Sequence, residues 1–251
     1  SYDDKNWREV DLPHDWAVEM PYDSNENLSQ GYKKRGYGWY RRHFKLDTSD
    51  RGKYLELQFD GISTHATIWI NGTVVHRNWC GYTSSYIDIT PLVRYGDQIN
   101  TIAVRVDAVA QEGWWYEGAG IYRHTWLVKR SPVHIITDGV YANPVKKANS
   151  QWEIPVEVTL ENTGKDDVSN VKVEVSLSDK QGRLVANGET DVNVALFHRT
   201  VAALTVGVSN PHLWSVDDPY LYTVETRVKK NGKQIDEHKL KCGFRTVRFE
   251  K

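Results

Sequence analysis

The sequence predicts an all-β protein made of two sandwich domains in tandem. Apolar residues alternate with polar ones over many short segments, and the Asn-Gly pairs at 71–72 and 231–232 mark turns between such segments. No convincing helical period interrupts this pattern. Since 251 residues exceed the size of a typical single core, two domains of ordinary size are expected. The predicted ranges are 1–132 for a jelly-roll-type domain and 133–251 for an immunoglobulin-like β-sandwich.

In the first domain, the segment 54–59 places apolar residues at every second position, as a strand with one buried face does. Residues 66–76 predict a hairpin, because Asn71 and Gly72 can take the positive φ values of a type I′ turn. Strands separated by long aromatic loops favour an antiparallel jelly-roll sandwich. Further alternating rows lie at Ile87 and Ile89, at Ile102, Val104 and Val106, and at 125–129.

Composition changes near Ser131 and Pro132. Eight of the ten tryptophans precede this point, so any chemistry based on aromatic side chains belongs to the first domain. The second part has plainer strands, and roughly seven of them over about 115 residues predict an immunoglobulin-like sandwich. The clearest strands are 156–160, 171–177 and 222–228, and a turn is expected at Asn231 and Gly232.

Charge and motif content exclude several functional classes. The formal net charge of −1 gives no field for recruiting nucleic acid, although 31–39 mixes basic and aromatic residues. Nucleic acid is therefore not an expected partner. No apolar run approaches the roughly 20 residues that span a bilayer, so a membrane is not an expected partner either. Cys80 and Cys242 are predicted to be unpaired, and no cluster has zinc spacing. No cofactor is predicted.

Residues 112–118, Glu-Gly-Trp-Trp-Tyr-Glu-Gly, have the composition of a sugar site. Indole and phenol rings can stack on the C–H face of a pyranose, and neighbouring carboxylates can accept hydrogen bonds from its hydroxyls. The alternative is that Trp115 and Tyr116 pack within the protein.

The segment 12–16, Leu-Pro-His-Asp-Trp, offers an imidazole beside a carboxylate. Adjacent side chains on an extended segment point to opposite sides, so His14 and Asp15 are not expected to bond each other. We predict a structural role, in which Trp16 anchors the segment and Asp15 bonds to a nearby loop.

Several motifs, by type, order and spacing, resemble glycoside hydrolase family 2, the family of β-galactosidases, β-glucuronidases and β-mannosidases. The first domain resembles its amino-terminal sugar-binding domain, and the end of the chain resembles the last strands of its second sandwich and the segment leading into its catalytic (β/α)8 barrel. The motifs are 12–16, 38–42, 69–72 and 118–127 in the first domain, and 210–214, 218–222 and 242–247 in the second.

The resemblance implies substrate-binding residues in the first domain. In the family, the loop equivalent to 112–118 reaches towards the barrel mouth and shapes the subsite for the non-reducing sugar, which implies supporting roles for Trp114, Trp115 and Glu117. Some members place a substrate-contacting polar residue just before the strand that begins in this chain at Trp39. Arg35 is the nearest candidate.

The resemblance also implies that the catalytic residues lie elsewhere. Glycosidases need two carboxyl groups at a defined separation, and the family carries them on the barrel. Asp15, Glu112 and Glu117 are carboxylates that lie in aromatic loops, and none of them is predicted to be catalytic. The expected partners are a carbohydrate substrate and a carboxy-terminal barrel of the same polypeptide. Homo-oligomerisation is left open.

Two functions follow as expectations. The first is the non-catalytic amino-terminal portion of an exo-glycosidase, above all a β-galactosidase, that hydrolyses O-glycosidic bonds. The alternative is a stand-alone carbohydrate-binding or scaffold protein. Residues 243–251 are typical of a connector rather than of a final strand, which favours the first function.

Overall fold

A computed structural model describes residues 3–109, 111–148 and 151–249, and it confirms the all-β prediction. The chain divides into two compact units, Ser1–Lys129 and Arg130–Lys251. The predicted domain ranges, 1–132 and 133–251, stay a prediction, because compactness alone does not show that a part folds independently.

The first unit is a jelly-roll-type sandwich of two sheets. One sheet has the strand order β1-β6-β3-β4 and the other β5-β2-β7. The core lies between them and draws on both, including Leu57 and Phe59 from one sheet and Ile68 and Val104 from the other. The strands are β1 (Tyr37–Phe44), β2 (Tyr54–Phe59), β3 (His65–Ile70), β4 (Thr73–Asn78), β5 (Ser85–Asp88), β6 (Asn100–Asp107) and β7 (Thr125–Arg130).

The predicted core face of β2 and the predicted hairpin of the first unit are confirmed. Leu55, Leu57 and Phe59 are buried in one apolar core. The opposite face of β2 is not exposed as predicted, because Tyr54 and Glu56 are buried too and the hydroxyl of Tyr54 donates to Oε2 of Glu56 at 3.0 Å. Asn71 and Gly72 have φ values of 50° and 88°, the positive values that join β3 to β4 through a tight turn.

The second unit is an immunoglobulin-like sandwich. One sheet has the order β13-β10-β8, with β9 paired to β10, and the other has the order β12-β11-β14-β15. The predicted turn at Asn231 and Gly232 is confirmed by φ values of 51° and 73°. The strands are β8 (Val133–Ala142), β9 (Val145–Lys146), β10 (Gln151–Asn162), β11 (Val168–Ser178), β12 (Leu184–Val194), β13 (Arg199–Ser209), β14 (Tyr222–Lys230) and β15 (Lys233–Cys242).

The structure adds short helical turns that the sequence pattern did not predict. The single α-helical turn, α1, covers Trp16–Glu19 in the described residues, and four residues are too few to show a helical period. Over the same ranges no helix is long and apolar enough to cross a membrane. Turns of 3₁₀ helix occur at Leu28–Gln30, Thr48–Asp50 and Thr90–Leu92.

Candidate functional site

The candidate site of the first unit is the segment 112–118, which we call the aromatic loop, together with the residues that hold it. Its carboxy-terminal end is fixed on two sides by backbone hydrogen bonds. Trp16 N–H donates to the carbonyl of Ala119 at 3.0 Å, and Ser63 and Gly120 exchange bonds of 2.9 and 3.0 Å. The residues that follow the loop, Ala119 and Gly120, are therefore paired with neighbouring segments as in a β-strand. We call these two residues the base of the loop.

That base requires glycine at position 120. Gly120 has a φ of +135°, a conformation that residues with a side chain rarely adopt. A Cβ there would lie 2.4 Å from the hydroxyl oxygen of Tyr40 and 2.5 Å from the carbonyl oxygen of His14. The motif glycine thus permits close approach of three segments of the chain.

Asp15 ties the aromatic loop to the amino-terminal segment. Its Oδ1 accepts from the backbone N–H of Ala17, which caps α1, and from that of Ala119, both at 2.9 Å. Its Oδ2 accepts from the hydroxyl of Tyr116 at 2.8 Å. Burial, followed by this bond to a carboxylate, raises the pKa of Tyr116. The prediction that Asp15 bonds to a nearby loop is confirmed.

His14 contacts other groups than its neighbour Asp15. Its Nδ1 lies 2.7 Å from the hydroxyl of Tyr40, and its Nε2 lies 3.2 Å from Glu19. Burial raises the pKa of Tyr40 to about 12. The imidazole therefore belongs to the support of α1, in keeping with the predicted structural role.

Arg35 and Glu117, two of the predicted binding residues, contact each other beneath the loop. Nη1 of Arg35 donates to Oε2 of Glu117 at 3.0 Å, and the two side chains are only 7% and 1% exposed. Nε and Nη2 donate to the carbonyl of Gly118 at 3.2 and 3.1 Å, and Nη2 also donates to Oγ1 of Thr64 at 2.7 Å. A buried charge of this kind needs its partner, because losing one leaves the other uncompensated.

Gln30 is a functional candidate that the sequence did not reveal. Its Oε1 accepts from the N–H of Glu117 at 3.1 Å, and its Nε2 donates to the carbonyl of Trp115 at 2.8 Å. The residue is 1% exposed. A lone glutamine in a polar stretch carries no motif, so only the fold brings it to the loop.

The two predicted tryptophans lie in the same loop with different surroundings. Trp114 is 94% exposed, whereas Trp115 is 55% exposed and its indole N–H donates to the hydroxyl of Tyr82 at 2.6 Å. Tyr116 is 39% exposed and bonded to Asp15. The alternative, in which Trp115 and Tyr116 pack within the protein, is therefore met in part, and Trp114 offers a free ring.

The carboxylates of this region act as hydrogen-bond acceptors for the loop itself. Besides the bonds of Asp15, Oε1 of Glu117 accepts from the N–H of Glu112 at 2.6 Å, and Oε2 of Glu112 accepts from the N–H of Gly81 at 3.3 Å. Among the residues with described positions, no group of three or more His, Cys, Asp or Glu could hold a metal ion. Each of these three carboxylates therefore accepts hydrogen bonds that connect the loop to itself or to its neighbours.

Comparison with known proteins places this chain in a family. Residues 10–164 match the glycosyl hydrolase 2 galactose-binding domain-like family, and residues 133–245 match glycosyl hydrolases family 2. The chain belongs to glycosyl hydrolase family 2. This confirms the resemblance seen in the sequence motifs, and the two matches follow the chain in the predicted order.

Three relatives show how far the family likeness extends. A β-galactosidase of Bacteroides ovatus is 37% identical over 98% of this chain and 29% of its own length. A β-glucuronidase of Formosa agariphila is 27% identical over 100% and 28%, respectively. The crystal structure of a family 2 member from Bacteroides cellulosilyticus has a TM-score of 0.93 and 36% identity over 99% of this chain and 33% of that one. The chain thus spans a third or less of these relatives.

Proposed function

We propose that this chain is the non-catalytic amino-terminal portion of a family 2 exo-glycosidase that hydrolyses O-glycosidic bonds. The main support is that both units match the family while the chain spans a third or less of the relatives compared. The catalytic carboxylates are then carried by a barrel in the same polypeptide. The two sandwiches brace that barrel.

The proposed substrate is a β-galactoside. The Bacteroides ovatus β-galactosidase is 37% identical to this chain, compared with 27% for the Formosa agariphila β-glucuronidase. Sequence likeness in the non-catalytic part supports this choice of sugar, and activity of the complete polypeptide tests it directly.

The aromatic loop lines one wall of the substrate pocket in this proposal. A flat ring that is 94% exposed, on a loop held by buried polar side chains, suits stacking on a pyranose. Trp114 and Trp115 form the stacking surface. Arg35 and Glu117 contribute to the site as a buried ion pair beneath the loop. Because small-ligand sites enclose most of the ligand, the barrel completes the pocket.

The test uses the complete polypeptide encoded by the gene. We expect it to hydrolyse nitrophenyl β-galactoside faster than nitrophenyl β-glucuronide, and we expect Trp114→Ala to lower kcat/KM by about tenfold through lost stacking. Trp126→Ala, which removes a 51% exposed indole from β7, is the matched control. Equal kcat/KM in the wild type and Trp114→Ala would contradict the proposal that the loop lines the substrate pocket. Absence of glycoside hydrolysis would contradict the proposed enzymatic activity.

A further inference from the structure

We propose that Gln30 and Arg35 are positioning residues that act through Glu117 and the loop backbone. They hold the aromatic loop in one conformation, so that Trp114 and Trp115 are in place before sugar arrives. The sugar in this inference rests on the proposed function, whereas the positioning rests on contacts within this chain.

Side chains from 30–35 satisfy the backbone of the aromatic loop. The carbonyl of Trp115 and the N–H of Glu117 both bond to Gln30, and the carbonyl of Gly118 bonds to Arg35. Backbone N–H and C=O groups that are buried away from solvent need a hydrogen-bond partner, and an irregular loop has no neighbouring strand to supply one. These side chains therefore replace the missing ladder of hydrogen bonds.

The carboxylate of Glu117 closes the loop from inside. One oxygen accepts from Arg35 and the other from the N–H of Glu112 at the start of the loop. Both contacts require an acceptor, and a carboxylate offers one on each of its two oxygens. A glutamine has the same shape but presents an amide NH2 to one of the two donors, and it breaks one contact without creating a cavity.

Gln30 is equally specific. It accepts at one end and donates at the other, so Gln30→Glu places a carboxylate oxygen against the carbonyl of Trp115. Arg35 reaches Glu117, Thr64 and the Gly118 carbonyl with one planar fork of donors, which the single ammonium of a lysine cannot reproduce.

A preformed stacking surface has a kinetic signature. Rings that contact the sugar equally in the ground and transition states contribute uniform binding, so their misplacement raises KM and leaves kcat unchanged. A residue that touches the reacting atoms lowers kcat instead.

Hydrogen exchange on the 251-residue chain tests the positioning. In both Glu117→Gln and Gln30→Glu, the amides of Glu112 and Glu117 should exchange at least about tenfold faster, while the amides of β2 and β6 keep their protection. Asp97→Asn is the control, because it removes a carboxylate from an exposed pair with Lys45. Unchanged exchange in the loop overturns the inference, and Gln30→Glu decides it if Glu117→Gln does not fold.

Kinetics of the complete polypeptide separate this inference from the proposed function. With nitrophenyl β-galactoside, both variants should raise KM about tenfold with kcat within about twofold of the wild type. A fall in kcat at constant KM overturns the positioning role. Faster exchange with unchanged kinetics, or a wild type without activity, contradicts the proposed pocket and leaves the anchoring of the loop supported.

Discussion

The hydroxyl of Tyr116 donates to Asp15 across 101 positions of sequence, at 2.8 Å. The same carboxylate caps α1 through Ala17 and fixes the loop base through Ala119. A carboxylate has about four acceptor sites on two oxygens, so one side chain can serve three donors. The segment 12–16 and the aromatic loop are therefore held together by a single side chain.

This arrangement predicts a large effect of Asp15→Ala. The variant loses a helix cap and leaves an N–H and a hydroxyl without their acceptor, so the free energy of unfolding should fall by about 2–4 kcal/mol. Tyr116→Phe removes only one of the three bonds and should cost about 1 kcal/mol. Urea denaturation measures both, with Asp97→Asn as the surface control. Equal losses for Asp15→Ala and Asp97→Asn would contradict the shared role of Asp15.

Three glycines should respond to alanine in a graded series. The Cβ of Gly120→Ala would lie 2.5 Å from a backbone oxygen, and the position has a positive φ. The substitution should therefore lower the free energy of unfolding by more than about 3 kcal/mol or prevent folding. Gly72→Ala has open space but a φ of +88°, which predicts a cost of about 1 kcal/mol. Gly207→Ala, with neither problem, should be close to neutral. Thermal unfolding orders the three, and a tolerated Gly120→Ala would refute the close approach.

The periodic parts of the fold were predictable because burial of one strand face leaves a direct mark on the sequence. Leu55, Leu57 and Phe59 could be assigned to a core face from their spacing alone. The turn at Asn71 and Gly72 could be predicted from the residue types, which favour positive φ values. The turn at α1 could not be predicted, since four residues make a single helical turn and cannot show a repeating pattern.

The candidate site was predictable only in part. Its aromatic composition stood out, and the bond from Asp15 to a loop was expected, because Asp15 could not turn towards His14. Nothing indicated that Arg35 and Glu117 pair with each other, or that Gln30 lies beneath the loop. These contacts join residues more than 80 positions apart, and only tertiary structure brings them together.

Alkaline pH should weaken the first unit through Tyr40. Burial raises the pKa of this phenol from 10.0 to about 12, so the unfolded chain ionises first as pH rises. The stabilising contribution is complete below pH 10 and is lost progressively as pH rises towards 12. Tyr40→Phe lacks this ionisation, and its stability deficit relative to the wild type should therefore narrow between pH 9 and about 11.5. Denaturant titrations across that range test this, with Tyr86→Phe as control. A constant deficit would contradict it.

The 251-residue chain should not hydrolyse aryl β-glycosides. The carboxylates of Asp15, Glu112 and Glu117 accept bonds that hold the aromatic loop, and Glu117 is buried against Arg35. A glycosidase needs one carboxyl as proton donor and another free to act on the sugar or on water. Assays of the purified chain with nitrophenyl β-galactoside measure this. Turnover that survives purification and disappears in Glu117→Gln would contradict it.

Free galactose should bind the isolated chain weakly. The loop offers one exposed indole and one partly exposed indole, and high affinity for a small ligand depends on enclosing most of its surface. We expect a dissociation constant on the order of millimolar or weaker, equivalent to about −4 kcal/mol at best. Isothermal titration calorimetry of the wild type, Trp114→Ala and the control Trp126→Ala measures this. Micromolar binding that Trp114→Ala abolishes and Trp126→Ala preserves would favour a stand-alone carbohydrate-binding protein, because the loop would then need no barrel to complete its site.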